Sequence, residues 1–324
     1  DRSPSRGLGD VYKRQVDMRQ PLPKVSKVVT NIGKYKLRPE QEKAVKAVIN
    51  NKIGNTPFHI GVLDYTVNAG KTLIMSSLYL SYKKQLKTLL ITNDSDWLNQ
   101  AREEFKQYLP GEDITFVQGK VLNWSNFTIG MVQSISRNMR FYQKELSQID
   151  MVLIDEADQG GSKQYQNVIT RLFNTRIRIG LSGTIYMSKL AKDRVKNMNL
   201  ECFFGKVLAE FKLRDSIKKG YSTKTVVKMV PGKPWYGNWE SDCISYKEIY
   251  DDSITNCYTA WLMAYNRLLW NLNQGRYPAL VVCKHIAHCE NLYKFFKKKL
   301  GDAYNIAYVH VNTPSKLRHC LLYT

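Results

Sequence analysis

The chain has 324 residues, of which 43% are hydrophobic and 24% are charged, so it is long enough for two domains with packed cores. This composition excludes a disordered chain, a collagen-like repeat and a small disulfide framework. The 49 lysines and arginines exceed the 28 aspartates and glutamates, and the net charge of +21 favours a polyanionic partner. Nucleic acid is the first such partner, and an acidic membrane surface is the second.

The ends of the chain and its cysteines indicate where the protein works. No apolar run approaches the roughly 18 residues that span a bilayer, and the N-terminal DRSPSRGLGD lacks the apolar stretch of a secretory signal. Six cysteines stand at irregular distances without a CxxC pair. We therefore expect free thiols in a cytoplasmic protein with no membrane partner. Residues 1–15 and 319–324 resemble translated adapter sequence and are expected to be non-native tails.

Strand-like and helix-like segments alternate from residue 36 onward. The predicted strands are 59–66, 88–92, 127–133, 151–155 and 178–183. The predicted helices are 37–50, 69–85, 94–109 and 164–173. This alternation predicts an α/β domain over residues 16–210, with a parallel sheet and helices on both faces.

A second, incomplete α/β domain is predicted over residues 211–318. Its expected elements are a helix at 211–221, a strand at 223–230, an aromatic insertion at 231–240 and a long helical stretch from 245 to 273. The strand–helix–strand pattern then returns at 279–283, 288–301 and 304–311.

The segment YTVNAGKT, residues 65–72, lies between a predicted strand and a predicted helix. A turn that leads into a helix N-terminus points backbone N–H groups at phosphate oxygens. Gly70 would allow close approach of the backbone, Lys71 would reach the β- and γ-phosphates of ATP, and the Thr72 hydroxyl would hold Mg²⁺. The pattern favours a phosphate loop over an accidental match.

The first half of this loop departs from the usual GxxxxGK[ST] pattern. Tyr65 stands where the first glycine is expected. Asn68 and Ala69 precede the GKT of residues 70–72. Asn tolerates the left-handed backbone conformation that a phosphate loop often requires. The sequence therefore predicts a left-handed residue at Asn68.

Residues 151–158, MVLIDEAD, form a buried strand that ends in adjacent carboxylates. At the carboxyl edge of a parallel sheet, Asp155 would lie beside the phosphate loop and hold Mg²⁺. Glu156 would then orient and deprotonate the attacking water. The alternative is an acidic N-cap for the next helix, which is worth about 1 kcal/mol.

Two weaker signals flank these motifs. In GLSGT, residues 180–184, the hydroxyls of Ser182 and Thr184 could bridge the nucleotide site to a neighbouring domain, although the segment is also an ordinary turn. In LRPEQ, residues 37–41, the Gln41 amide could pair with an adenine edge.

LRPEQ, AGKT, DEAD and LSGT, in this order, resemble motifs Q, I, II and III of superfamily 2 helicases. LLITNDSDWLNQAREEF resembles motif Ia, IGMVQSIS resembles the segment that contacts the nucleic-acid backbone, and ALVVCKHIAHCENL resembles motif IV. The nearest group is the phage UvsW-like and type III restriction-subunit-like one. The resemblance covers residues 36–312.

This resemblance implies a RecA-like P-loop NTPase fold, with ATP and Mg²⁺ as cofactors. It implies that Arg38 and Gln41 join the phosphate loop in nucleotide binding, and that Ser182 and Thr184 couple the site to a second RecA-like domain. Motifs V and VI, including an arginine worth about 10³–10⁵ in rate, are not found in the chain. We therefore expect this chain to bind ATP but to hydrolyse it very slowly.

Basic and aromatic residues of the second predicted domain fit the same interpretation. The basic ones are Lys212, Arg214, Lys218, Lys219, Lys224 and Lys228, and then Lys294, Lys297, Lys298 and Lys299. The second group is better explained as a solvated helix face. Trp235, Tyr236 and Trp239 either stack on unpaired bases or pack under the insertion.

The leading functional hypothesis is a phage-encoded, ATP-dependent DNA helicase or translocase, with DNA favoured over RNA. The first alternative is the ATP-driven motor subunit of a restriction system. The second is a module that binds nucleotide and nucleic acid without motor activity. The sequence leaves the oligomeric state open.

Overall fold

A computed structural model describes residues 22–51, 59–82, 84–119, 121–185, 194–224, 245–276 and 278–314, and the single positions 227 and 317. The chain divides into two compact units, Asp1–Thr225 and Val226–Thr324. The boundary predicted after residue 210 is therefore corrected, because strand Val207–Phe211 pairs within the sheet of the first unit. The two tails and the aromatic insertion, with Trp235, Tyr236 and Trp239, lie outside the described residues.

The first unit is built on one eight-stranded sheet. Its strands are β1 His59–Tyr65, β2 Thr88–Thr92, β3 Ile114–Gln118, β4 Val121–Leu122, β5 Phe127–Met131, β6 Met151–Asp155, β7 Ile177–Ser182 and β8 Val207–Phe211. Their order across the sheet is β8-β1-β7-β6-β2-β5-β3-β4. Every neighbouring pair is parallel except β3 with β4. The predicted parallel sheet is confirmed.

Both faces of the sheet are buried. Adjacent residues of a strand point to opposite sides of a sheet, and in the central strands each side lies in a hydrophobic core. Leu90 of β2 packs into one core cluster, whereas its neighbours Leu89 and Ile91 pack into the other. The same division separates Leu153 from Val152 in β6. A strand covered on both faces needs a continuous apolar run rather than an alternating one, and the sequence shows that pattern.

Helices cover both faces, as predicted. One face carries α1 Pro39–Ile49, α2 Lys71–Ser81 and α3 Ser95–Tyr108. The other carries α4 Val132–Arg137, α5 Gln143–Ser147, α6 Lys163–Ile169 and α7 Arg194–Phe204. A short helix, α8 Leu213–Lys218, follows β8, and a two-stranded hairpin of Asn31–Ile32 and Tyr35–Lys36 precedes α1. None of the described helices is both long and apolar enough to span a membrane.

The described part of the second unit is helical. Its elements are α9 Tyr246–Tyr250, a π-helical turn Asp251–Thr255, α10 Tyr258–Asn273 and α11 Ile286–Leu300. The core of this unit forms around Leu292, Phe295 and Phe296 of α11.

The strands predicted at 279–283 and 304–311 are not formed among the described residues. Leu280 and Val282 are 76% and 82% exposed, so this run does not bury the two faces that stabilise an apolar parallel strand. The strand predicted at 223–230 lies mostly outside the described residues. The long helix predicted from residue 245 is interrupted at the π-helical turn.

The aromatic cluster around Phe127 supplies a test of the first core. Phe127 is fully buried, with ring centroids 4.9 Å from Tyr79 and 5.0 Å from Phe105. Phe127→Ala should lower the free energy of unfolding by about 3–5 kcal/mol, because a cavity replaces the ring. Phe141→Ala, at a ring that is 80% exposed, should change it by less than about 0.5 kcal/mol in the same urea titration. Equal effects would contradict the assignment of this core.

Candidate active site

The loop between β1 and α2 has the backbone geometry of an anion-binding turn. Asn68 has φ 63° and Gly70 has φ 74°, so two residues of this turn adopt positive φ. The left-handed conformation predicted for Asn68 is thus observed. Gly70 is the N-cap of α2, and Lys71 is its first residue. The free N–H groups of the first helical turn therefore face the space above this loop.

Side chains from the start of α1 hold the loop from the other side. The Arg38 guanidinium donates to the carbonyl of Ala69 at 2.7 Å, and the Gln41 amide nitrogen donates to the same carbonyl at 2.8 Å. Arg38 also donates to the carbonyl of Asn68 at 3.3 Å. A Cβ at Gly70 would lie 2.3 Å from the Gln41 amide nitrogen, so only glycine fits beside this clamp.

The Gln41 side chain has a different partner from the one its sequence context suggested. Its amide oxygen accepts from the backbone N–H of Arg38 at 2.8 Å, while its nitrogen is bound to Ala69. Gln41 is 2% exposed, so both ends of its amide are engaged inside the protein. In the structure the Gln41 amide thus contacts the loop backbone, and its contact with an adenine edge stays a prediction. A role of Gln41 in nucleotide binding through that loop stays a prediction.

Lys71 and Asp155 meet at the carboxyl edge of the sheet. The Lys71 Nζ lies 3.8 Å from Asp155 Oδ1, and the Asp155 side chain is only 5% exposed. This Oδ1 atom is buried and has no hydrogen-bond partner. Thr72, the next residue of α2, is partly exposed in the first helical turn. The structure thus brings together Lys71 and Asp155, one residue from each of the two strongest motifs.

Asp155 and Glu156 lie in an environment that opposes their ionisation. Burial raises the pKa of Asp155 above its usual value, and the nearby Lys71 charge only partly offsets this effect. Burial likewise raises the pKa of Glu156, with the charges of Asp155, Asp158 and Asp94 adding to the shift. Glu156 itself has φ 51°, a left-handed conformation that is uncommon for a residue with a long side chain.

Ser182 connects the end of β7 to the DEAD segment. Its hydroxyl donates to Asp158 Oδ1 at 2.8 Å and accepts from the backbone N–H of Thr184 at 3.1 Å. The Ser182 and Thr184 hydroxyl oxygens are 3.3 Å apart. Asp158 and Asp94 are site residues that the sequence analysis missed. Asp158 is the last letter of the DEAD motif, which was a sufficient signal, whereas Asp94 becomes recognisable only once β2 and β6 are neighbours.

Comparison with known proteins now adds to this geometry. The family described as "Type III restriction enzyme, res subunit" matches residues 34–187, which include the loop, both carboxylates and Ser182. This match covers just under half of the chain. The matched residues include most strands of the mostly parallel sheet and helices on both of its faces.

Three solved structures are similar to the chain. The UvsW helicase from Bacteriophage T4 is 22% identical with a TM-score of 0.45, over 58% of this chain and 64% of that one. The Sulfolobus solfataricus SWI2/SNF2 ATPase core in complex with dsDNA is 19% identical with a TM-score of 0.43, over 56% and 38%. The Pyrococcus furiosus Hef helicase domain is 15% identical with a TM-score of 0.44, over 82% and 53%. The chain thus spans less than two thirds of each structure, and no match was found among curated proteins.

The donor set of the candidate site fits a magnesium ion bound together with a nucleotide. Among the described residues, no three His, Cys, Asp or Glu side chains are grouped to hold a metal on their own. Mg²⁺ does not need such a group, because it usually takes one or two carboxylates and completes its shell with phosphates and water. The Oδ1 of Asp155, which is buried and accepts no hydrogen bond, is such a carboxylate oxygen.

The raised pKa of Asp155 predicts a pH-dependent effect on stability. A carboxyl with a higher pKa in the folded state costs stability when ionised, and the cost vanishes below the unfolded pKa of about 3.9. Asp155→Asn should therefore raise the free energy of unfolding at pH 7, and the gain should shrink as the pH falls toward 4. Urea unfolding across this range tests it. Asp113→Asn, at an exposed aspartate, should show no such gain, and a loss of stability at pH 7 in Asp155→Asn would contradict the assignment.

Proposed function

We propose that this chain carries the ATP-binding part of an ATP-dependent DNA helicase or translocase of superfamily 2. The single observation that carries the proposal is the meeting of Lys71 and Asp155 at 3.8 Å, above a loop with left-handed Asn68 and Gly70. A loop lysine and a buried strand-end carboxylate at one sheet edge are the two groups that a phosphate–metal complex requires. The family match over the same residues supports this function.

Each group of the site has a distinct task in this proposal. The N–H groups at the start of α2 and the Lys71 ammonium bind the phosphates of ATP. Thr72 and Asp155 hold Mg²⁺, which neutralises charge on the phosphates when it is bound. Glu156 orients the attacking water and takes its proton. Its raised pKa suits this task, because a carboxylate with a higher pKa is a stronger base.

Ser182 and Thr184 are proposed to couple changes at the nucleotide site to a neighbouring domain. Ser182 is bonded to Asp158, two residues after Glu156, so a shift of the DEAD segment on hydrolysis would move the Ser182–Thr184 turn. The positive net charge of +21 is proposed to attract nucleic acid, with DNA favoured over RNA. A cytoplasmic location and a phage origin belong to the proposal through the sequence resemblance alone.

A motor subunit of a restriction system is the second candidate. The description of the matching family names a restriction enzyme, and such a subunit would use the same residues for ATP hydrolysis. The two candidates differ in their partners, since a restriction motor works with a nuclease. A nucleotide-binding module without motor activity is the third, and it would bind ATP without hydrolysing it.

Two substitutions separate binding from hydrolysis. Lys71→Ala should weaken ATP binding and abolish hydrolysis without unfolding the protein, because it removes the cation that would face the phosphates. Glu156→Gln should leave ATP binding intact and lower the hydrolysis rate by about 10²–10⁴, because it removes the general base but keeps the side-chain shape. Binding of a fluorescent ATP analogue and release of phosphate measure the two effects.

Lys144→Ala, in which an exposed lysine of the same unit is removed, is the matched control for charge. Circular dichroism of all variants establishes that they are folded. Normal turnover in Lys71→Ala would overturn the phosphate-loop assignment. Loss of binding together with normal residual hydrolysis in Glu156→Gln would show that the two carboxylate roles are wrong.

The charge of the chain predicts how nucleic-acid binding responds to salt. Each phosphate neutralised by a lysine or arginine releases a counterion, so affinity for single-stranded DNA should fall steeply between about 50 and 200 mM salt. Fluorescence anisotropy with a labelled oligonucleotide measures this dependence. An affinity that stays constant across the range would mean that the charge serves solubility only.

A further inference from the structure

The end of the first unit folds back onto the start of α1. The Lys219 Nζ, just after α8, lies 2.8 Å from Glu40 Oε2. The ring of Tyr221 covers one face of the Arg38 guanidinium, with the guanidinium carbon 4.3 Å from the ring centroid. These contacts reach Arg38, which clamps the phosphate loop, and Glu40, which lies next to the clamping residue Gln41. No sequence motif indicated a link between residues 219–221 and the loop.

Glu40 is a buried carboxylate that two cations share. Its side chain is 6% exposed, with Oε2 bound to Lys219 and Oε1 3.4 Å from the Arg38 Nε. Burial tends to raise the pKa of Glu40, but the Lys219 hydrogen bond and the charges of Lys219 and Arg38 outweigh it and lower the pKa. Glu40 therefore stays ionised, and a buried ionised group needs its partners.

The pairing of Glu40 with both Lys219 and Arg38 matters because Arg38 also binds the phosphate loop. Its Nη2 atom donates to the loop carbonyls of Ala69 and Asn68. With Lys219 in place, much of the Glu40 charge is already balanced, and the guanidinium can extend toward the loop. Without Lys219, Arg38 becomes the cation nearest to a buried carboxylate, and the pull on its guanidinium is then toward Glu40 and away from the loop.

Tyr221 restrains the same guanidinium by stacking. A planar ring against a planar guanidinium reduces the rotamers open to Arg38, so less entropy is lost when it binds the loop carbonyls. Lys219 itself lies 5.4 Å from the ring centroid of Phe211 in β8, which ties the segment to the sheet. Residues 219–221 are thus attached both to the start of α1 and to the sheet.

We propose that Lys219 and Tyr221 are positioning residues for the nucleotide site, which hold Arg38 in the orientation that braces the phosphate loop. This inference rests on the proposed function and deepens it, since it makes nucleotide affinity depend on residues 219–221. The chain runs on from this segment into the second unit, which begins at Val226. A displacement of residues 219–221 would release Arg38 from this orientation and would therefore weaken nucleotide binding.

The experiment compares two adjacent lysines in the full chain. Lys219→Met and Lys218→Met each remove one positive charge, but the Lys218 side chain is exposed and makes no ion pair with any described residue. The affinity for a fluorescent ADP analogue should fall about three- to tenfold in Lys219→Met and stay unchanged in Lys218→Met. Lys219→Arg should restore the affinity, and Tyr221→Phe should keep more of it than Tyr221→Ala.

A double-mutant cycle with Glu40→Gln separates positioning from general stability. If Lys219 acts through Glu40, Lys219→Met should have little further effect on affinity once Glu40 is replaced, so the two changes are not additive. Thermal unfolding is measured alongside, and the affinity loss should persist at temperatures where every variant is fully folded.

Two outcomes overturn the inference in distinguishable ways. Equal affinities of Lys219→Met and Lys218→Met, or additive effects in the cycle, would show that Lys219 does not position the loop, while the proposed function would stand. Failure of the unmutated chain to bind the nucleotide would overturn the proposed function itself, and the inference with it.

Discussion

Parallel pairing of β1, β7 and β6 is the constraint on which the candidate site depends. In parallel strands the carboxyl ends lie at one edge, and the register here sets Asp64 beside Ser182 and Asp155 beside Leu181. The three strand ends are therefore level to within two residues. An antiparallel β6 would carry its carboxylate to the opposite edge, far from the loop after β1. The site thus depends on the backbone hydrogen bonds of the sheet as well as on its own side chains.

The site is held at an energetic cost to the fold. Asp155 and Glu156 ionise against the effect of burial, and Asn68 and Glu156 adopt left-handed conformations that cost non-glycine residues of the order of 1 kcal/mol or more. Such strain persists only when the surroundings over-determine it. Here the surroundings are a sheet buried on both faces and the clamp from α1. A rigid core therefore allows the loop to keep a conformation that a free peptide would leave.

Sequence patterns predicted the central strands, the helices on both faces and the residues at the sheet edge. These features have local signals in the sequence, such as continuous apolar runs and the residues of a turn that leads into a helix. The patterns failed where the cause is distant. The strand Val207–Phe211 was missed, since its pairing with β1 follows a crossover from β7. The hydrogen bond between Gln41 and the Ala69 carbonyl was not predicted, because the two residues become neighbours only after folding. Runs 279–283 and 304–311 have strand composition, but composition does not supply a pairing partner.

The unusual start of the phosphate loop has a structural reason. Tyr65 occupies the position of a glycine, yet it is the last residue of β1 and has no positive φ, so no glycine is needed there. The turn begins one residue later, where the Ala69 N–H donates to the Thr66 carbonyl at 3.2 Å.

The buried Tyr65 side chain is used to attach α1 to the sheet. Its hydroxyl donates to the backbone carbonyl of Glu40 at 2.6 Å, and burial raises its pKa to about 12, so it remains a neutral donor at physiological pH. A glycine at this position would remove the hydrogen bond that joins the sheet to α1. With tyrosine in place of glycine, the backbone before the loop is less free, but α1, which begins beside Arg38 and contains Gln41, is attached to the sheet. The loop is therefore held by the Arg38 and Gln41 side chains.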